Sequence, residues 1–259
     1  MIRAYLQYWL QAGNEHSLHS PFAFDLYTRT IQVDDATNPD FAAIRTLRRE
    51  LRQCRDVITI TDFGAGSKVN ASNQRTISDI ARHTQKSDRF GRLLYRLASR
   101  FKAQTVLDLG TSLGLTTAYL AQGARLNNGQ VITFEGCPET AGVARRHLHQ
   151  LDTANVRLVV GNLDRTLTEQ VGSIKQIDLV FFDANHQYEP TIRYFNTCLP
   201  KAHNDTVFVF DDIHWSAGME QAWQTIKAHP DVTLTIDLFA VGLVFFRREQ
   251  PKQHVILRF

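Results

Sequence analysis

Residues 105–135 read TVLDLGTSLGLTTAYLAQGARLNNGQVITFE. Thr105–Leu109 is a short, nearly continuous apolar run, which marks a strand buried on both faces. The run ends in Gly110-Thr111-Ser112-Leu113-Gly114, a helical stretch follows at 115–124, and a second strand at 130–135 ends in Glu135. In open α/β sheets the ligand lies at the carboxyl ends of the strands. Glycines there let a ligand approach the backbone where a side chain would collide. A carboxylate closing the second strand can accept hydrogen bonds from both ribose hydroxyls of a nucleoside. The loop is spaced G-x-x-x-G, not the G-x-G-x-x-G of dinucleotide binders, so an NAD-dependent oxidoreductase is the weakest reading.

The alternation continues downstream. Strand patterns recur at 156–160, 177–183, 206–211, 232–238 and 241–247, with helical stretches at 138–150, 187–198 and 217–228. Apolar strands separated by helices predict a doubly wound α/β sheet. Only Phe239-Ala240 separates the last two strands, which predicts an antiparallel hairpin. Upstream the pattern is mostly helical. Ala4–Leu10 starts a helix, 41–51 places apolar residues at 41, 44, 47 and 51, and 89–101 carries Leu93, Leu94, Leu97 and Phe101 on one face. Ser20 before Pro21 reads as an N-cap followed by a proline in the first turn. A rival glycine loop, Gly64-Ala65-Gly66-Ser67, follows the strand pattern Ile58–Thr61, but the next stretch is polar and no acid-terminated strand follows it closely. It is either an accessory loop over the cofactor site or a surface turn.

The chain has 259 residues, 43% hydrophobic, 21% charged and 10% aromatic, enough for one large α/β domain with a small appendage and incompatible with a disordered protein. No apolar run approaches the roughly 18–20 residues of a membrane span, and Met1–Leu6 has none of the features of a signal peptide. Cys54, Cys137 and Cys198 lack C-x-x-C spacing, so a disulfide framework or cysteine zinc site is not expected and a reducing cytoplasm is. Residues 1–104 carry 16 Lys/Arg against 10 Asp/Glu, and 105–259 carry 13 against 16. This basic front half is the one feature that favours a nucleic-acid partner, but no RNA-binding module accompanies it. Tyr5, Trp9 and Phe22 are candidates for an apolar patch facing a partner helix, the basis for expecting a homodimer.

VLDLGTSLGLTTAYLA resembles the first motif of class I S-adenosylmethionine-dependent methyltransferases. GRLLYRLASR before it is similar to the helix that precedes this motif in catechol- and caffeoyl-CoA-type O-methyltransferases. VITFEG, VRLVVGN, IDLVFFDANHQYEP and VFVFDDIHWS resemble the later motifs in order and spacing, and DxxHxYE with DDIHW resembles a bacterial subgroup that also carries HSPFAF and DFGAGS. The resemblance covers about 89–247. It implies a Rossmann-like seven-stranded sheet of order 3-2-1-4-5-7-6 with the last strand antiparallel. Residues 1–88 would be a mostly helical extension and 89–259 the S-adenosylmethionine-binding domain. It implies that Gly110, Thr111, Ser112 and Gly114 wrap the methionine part of the cofactor and that Glu135 binds its ribose. Asn162, where relatives often have Asp, would meet the adenine amino group, and Leu163 would pack on the ring.

Asp183 and the pair Asp211-Asp212 close two neighbouring strand patterns. Converging carboxylates repel unless they share a cation or a proton, and oxygen ligands favour Mg²⁺, Ca²⁺ or Mn²⁺. In the catechol-type enzymes the corresponding residues, Asp, Asp and Asn, hold a divalent ion. Here Asp212 replaces the Asn. The alternative is that one Asp caps a helix and Asp183 meets the cofactor's amine. His186 stands three residues after Asp183, where those enzymes have a lysine base, and imidazole suits proton removal at neutral pH. His214 is a second base or ligand candidate, and Tyr188, Trp215 and Phe239 either shape an acceptor pocket or simply pack. The sum is a methyltransferase acting on oxygen of a small molecule. An RNA methyltransferase and a non-catalytic cofactor-binding regulator are the competing readings.

Overall fold

The structure is a computed structural model that describes residues 2–61 and 73–259. In chain order its elements are α1 (Ile2–Gln11), α2 (Pro21–Leu26), α3 (Ala42–Leu51), β1 (Val57–Thr59), β2 (Gln74–Thr76), α4 (Ile77–Thr84), α5 (Asp88–Arg100), β3 (Thr105–Leu109), α6 (Leu115–Arg125), β4 (Gln130–Glu135), α7 (Pro138–Gln150), β5 (Val156–Val160) and α8 (Leu163–Ser173). They continue as β6 (Ile177–Phe182), α9 (Tyr188–Cys198), β7 (Ala202–Asp211), α10 (Ala217–Ala228), β8 (Leu234–Asp237), β9 (Val241–Phe245) and β10 (Gln253–Ile256). The rival loop Gly64–Ser67 lies outside the described residues. Contacts group the chain into two compact units, 35–170 and a second built from 1–34 with 171–259.

In the first unit β4 pairs in parallel with β3 on one side and β5 on the other, the 3-2-1 half of the expected order. The face of α3 foreseen from its 3.6-residue period is buried: Phe41, Ile44, Leu47 and Leu51 share a core with Ile77 and Ile80 of α4, Tyr119 of α6 and Leu148 of α7. Leu113 of the glycine loop belongs to the same core, so packing holds the loop in place from below. Arg48, Arg92 and Arg96 are buried as well. Arg92 and Arg96 both reach Asp35 Oδ1, at 2.6 and 2.7 Å, and Arg92 also meets Asp88 Oδ2 at 3.0 Å. Part of the front half's positive charge is therefore held inside as ion pairs and does not face a partner.

The second unit carries the strand order β6-β7-β9-β8-β10. β6 and β7 are parallel, and β9 runs antiparallel to both β7 and β8. This is the expected 4-5-7-6 half with its antiparallel hairpin. One strand was not foreseen: β10 pairs in parallel with β8 and adds an eighth strand to the seven implied by the resemblance. Its four residues, Gln253 to Ile256, are half polar and follow Pro251-Lys252, so neither length nor alternation marks them. The N-terminal residues cover this exposed end. Tyr8 donates its hydroxyl proton to Leu257 O at 2.6 Å, Gly13 bridges to Leu257, and Tyr27 donates to Arg258 O at 3.1 Å. These contacts tie the N-terminal segment to the chain at the end of β10 and just past it.

HSPFAF has a structural role here. Ser20 caps α2 by accepting the Ala23 N–H at 3.3 Å, with Pro21 in the first turn. Phe22 packs edge-on against Phe245 and beneath the Arg247 guanidinium, 4.4 Å from its ring centre. Phe22 is thus docked on β9 and does not join the apolar patch expected of it. The exposed apolar residues of α1 are Tyr5, Leu6, Trp9 and Leu10. No helix among the described residues is long and apolar enough to cross a membrane.

Asp108, on β3, is fully buried. Its Oδ2 accepts hydroxyl protons from Thr117 of α6 at 2.5 Å and Thr133 of β4 at 2.7 Å, so one carboxylate joins three elements. Burial raises its pKa from 3.8 to about 6, against the pull of the two threonine hydroxyls. A carboxyl group with a raised native pKa stabilises the fold fully below its unfolded pKa and loses that contribution as pH rises through the native value. Unfolding measured by denaturant at a series of pH values should therefore show a wild-type stability that declines between pH ~4 and ~6 by roughly 1.4 kcal/mol per pH unit relative to Asp108→Asn. Parallel profiles for the two proteins would show that Asp108 does not titrate in this way.

Candidate functional site

The glycine loop needs its unusual residues. Gly110 and Gly114 have φ of +126° and +86°, and Ser112 between them is also left-handed at +47°. A side chain at either glycine would be strained. Gly114 opens α6, and its N–H donates to Thr111 O at 2.9 Å. Thr111 donates its own N–H to Phe134 O at 3.0 Å, extending the β3–β4 ladder one step past the strand. Its hydroxyl lies 2.6 Å from that of Thr133. Since Thr133 donates to Asp108, Thr111 is the donor in this pair.

Glu135 closes β4 and ties the loop to the next turn. Its Oε2 accepts the Ser112 N–H and its Oε1 the Cys137 N–H, both at 2.9 Å. Burial raises its pKa, and the N–H groups of Cys137, Ser112 and Gly136 work against that rise. An ionised carboxylate offers about four acceptor positions. Backbone N–H groups take part of this capacity, and the remainder is available to the hydroxyls of a ribose.

Asn162 precedes α8, and its Oδ1 accepts the Asp164 N–H at 2.9 Å. The oxygen expected to meet an adenine thus caps a helix as well and keeps one lone pair. Leu163 beside it is half-buried. An open depression lies there, lined by Asn162, Asp164, Arg165, Thr168 and Glu169.

Two contributions to this half of the site were not read from the sequence. Thr84, at the end of α4, places its hydroxyl 3.1 Å from that of Ser112. Thr59 and Thr61 donate N–H groups to Glu139 Oε2 at 2.6 Å and Cys137 Sγ at 3.4 Å. The flank of the rival loop therefore rests on the turn that follows Glu135. No spacing rule in the sequence announces such contacts.

The second unit holds the acidic cluster. Asp183 follows β6, Asp211 ends β7 and is buried, and Asp212 is half-buried. Asn185 has φ of +68°, which turns the chain back so that His186 Nε2 lies 3.6 Å from Asp183 Oδ1. Asn185 is held in place by its side-chain N–H donated to the Tyr194 hydroxyl at 3.2 Å. His186 Nδ1 lies 4.0 Å from Asp212 Oδ2, and its ring meets the edge of Trp215. One ligand atom from each of Asp183, His186 and Asp211 lies within 4.8 Å of the others, a donor set of two carboxylates and an imidazole that fits a divalent cation.

His214 is engaged elsewhere. Its Nε2 is 2.8 Å from Asp237 Oδ2 and its Nδ1 3.6 Å from Glu220 Oε1. Burial alone would lower its pKa, but these two carboxylates outweigh burial and raise it. Phe239 stacks on the His214 ring and is itself packed by Tyr5 and Tyr8 of α1. Tyr188 pairs with Thr225 of α10 at 3.4 Å.

A family described as a methyltransferase domain matches residues 107–213. The catechol O-methyltransferase of Mycobacterium tuberculosis (strain ATCC 25618 / H37Rv) is 35% identical over 159 residues, which are 61% of this chain and 68% of the relative. The chain belongs to the class I S-adenosylmethionine-dependent O-methyltransferases. The catechol O-methyltransferase of Niastella koreensis is 30% identical over 128 residues, 48% of this chain and 55% of the relative. Among solved structures, an O-methyltransferase from Bacillus cereus in complex with S-adenosylhomocysteine has a TM-score of 0.57 at 18% identity, covering 86% of this chain and 97% of the other. The O-methyltransferase TomG from Streptomyces achromogenes, in complex with S-adenosylmethionine, has a TM-score of 0.57 at 21% identity, covering 87% and 96%. These neighbours share the Rossmann-like methyltransferase fold. The methyl donor of this O-methyltransferase is S-adenosylmethionine.

Calorimetry of the cofactor should separate the two glycine loops and test Glu135 together. Glu135→Ala removes a charged acceptor whose hydrogen bonds contribute roughly 1.5–3 kcal/mol each, so affinity should fall tenfold or more. Gly110→Ala should cost more affinity than Gly64→Ala, because the first forces a side chain into a left-handed backbone. Unchanged affinity in a folded Glu135→Ala, or the opposite order of the glycine variants, would move the cofactor to another strand end.

Proposed function

We propose that this methyltransferase acts on a hydroxyl of a small molecule, of the aromatic diol kind for which its two relatives are named. The observation that carries the reading is the convergence of Asp183, His186 and Asp211, with Asp212 alongside. The burial of Arg48, Arg92 and Arg96 in the basic front half supports a small acceptor over an RNA. All the residues named for the chemistry fall within 110–212, which supports 89–259 as the catalytic domain and 1–88 as its extension. The cysteines are all thiols, in keeping with a cytoplasmic setting.

The sulfonium of the donor is already a strong electrophile, so the protein has two tasks: to align the reacting atoms and to ionise the acceptor hydroxyl. Gly110, Thr111, Ser112 and Gly114 wrap the methionine part of the donor. Glu135 fixes its ribose, and Asn162 and Leu163 take the adenine. Asp183 and Asp211, with Asp212 beside them, are placed to hold a divalent cation such as Mg²⁺. When bound, such an ion supplies positive charge that lowers the pKa of a hydroxyl next to it. His186 and Asp183 are the pair that serves this ionisation.

Methyl transfer to catechol, followed by mass spectrometry of the product, is the direct test. EDTA should abolish turnover, and a divalent cation added back should restore it. Turnover that persists in EDTA would remove the cation from the reading. Absence of product from catechol with cofactor bound would remove the diol class.

A further inference from the structure

We propose that His186 is itself a ligand of the divalent cation, through Nε2, and that the site therefore selects a nitrogen-tolerant first-row ion such as Mn²⁺ or Co²⁺ over Mg²⁺. The inference rests on the cation reading above and adds to it the donor atom and the class of ion.

Geometry carries it. The 3.6 Å between His186 Nε2 and Asp183 Oδ1 is too long for a hydrogen bond. Two donors bound to one ion at ~2.0–2.2 Å stand ~2.8–4.4 Å apart, depending on the angle between them. The pair is thus spaced as joint ligands, and Asp211 completes a triad whose ligand atoms all lie within 4.8 Å of one another. The left-handed Asn185, anchored on Tyr194, brings the imidazole back over Asp183. A helix could bring residues three apart together, but these lie in a loop, so this approach needs that turn.

A histidine acting alone as base is oriented by a hydrogen bond to its other nitrogen. His214 shows what such a bond looks like, with Asp237 at 2.8 Å. His186 Nδ1 is 4.0 Å from Asp212 Oδ2, outside hydrogen-bond range. With Nε2 on an ion, a small rotation brings Nδ1–H onto Asp212 and completes the carboxylate–histidine–metal arrangement of ligating imidazoles. Asp212 then orients a ligand instead of binding the ion, which accounts for its place beside the triad and not within it.

The consequence is selectivity. Mg²⁺ holds oxygen donors and gives up water reluctantly, whereas imidazole raises affinity along the series from Mn²⁺ through Co²⁺. Carboxylates follow the same series, and the imidazole steepens it.

The test is electron spin-echo spectroscopy on the metal-stripped full chain reloaded with Mn²⁺. The inference requires ¹⁴N modulation from a bound imidazole. It should change to the ¹⁵N pattern when the protein is made with [¹⁵N]histidine, disappear in His186→Ala, and persist in His214→Ala. Calorimetry should show Co²⁺ affinity falling about tenfold or more in His186→Ala, with Mg²⁺ affinity little changed. Mn²⁺ bound without nitrogen modulation, or modulation that survives His186→Ala, would overturn the inference while leaving the cation reading intact. Failure of the wild-type protein to bind Mn²⁺ at all would overturn both.

Discussion

The carboxylate of Glu135 is the constraint on which the glycine-loop end of β3 and β4 depends. Its two oxygens take the N–H groups of Ser112 and Cys137, one from the turn after β3 and one from the turn after β4. A buried carboxylate without partners would be costly, and one with backbone donors on both oxygens is held in a single orientation. Behind it, Asp108 does the same for the elements that carry those turns, joining β3 to α6 and β4 through two threonine hydroxyls. Leu113 in the core completes the support. The glycine loop is thus fixed before any ligand arrives, which limits the ordering entropy that binding there would have to overcome.

Backbone strain marks the same ends of the strands. Seven non-glycine residues among those described have positive φ. Lys102, Asn128 and Asp152 follow α5, α6 and α7, where helices commonly end in a left-handed residue. The other four follow strands: Ser112 after β3, Asn185 after β6, Asp212 after β7 and Phe239 after β8. Each such residue costs on the order of 1–3 kcal/mol and persists where the surroundings over-determine it. Ser112 is held by Glu135 and Thr84, Asn185 by Tyr194, Asp212 by its N–H on Ala240 O, and Phe239 by its N–H on Asp237 and by the aromatic rings around it. At Ser112, Asn185 and Asp212 the strain sits on or beside residues proposed for the chemistry.

The repeating elements were legible in the sequence because burial on two faces leaves a continuous apolar run and burial on one helical face leaves a period of 3.6. Thr105–Leu109, Gln130–Glu135 and the hairpin around Phe239 were read on those grounds; Val156–Val160 is apolar in the same way but is an edge strand, with Arg157 and Val160 exposed. α8 escaped because its apolar residues Leu163, Leu167 and Val171 are thinly spread among polar ones, and β10 because it is short and half polar. The glycine loop and Glu135 were legible from their order along the chain. The contacts that complete them were not. That Thr84 meets Ser112, that Asn162 caps α8, and that His186 stands with Asp211 as well as Asp183 are relations across the fold, which spacing along one strand or loop does not encode.

A crystal structure of the protein with S-adenosylhomocysteine and Mn²⁺, with anomalous data at the manganese edge, tests the account most directly. The account predicts both ribose hydroxyls on the Glu135 carboxylate and one anomalous peak bounded by Asp183, His186 and Asp211. A nucleoside bound away from Glu135, or manganese held outside that triad, would contradict it.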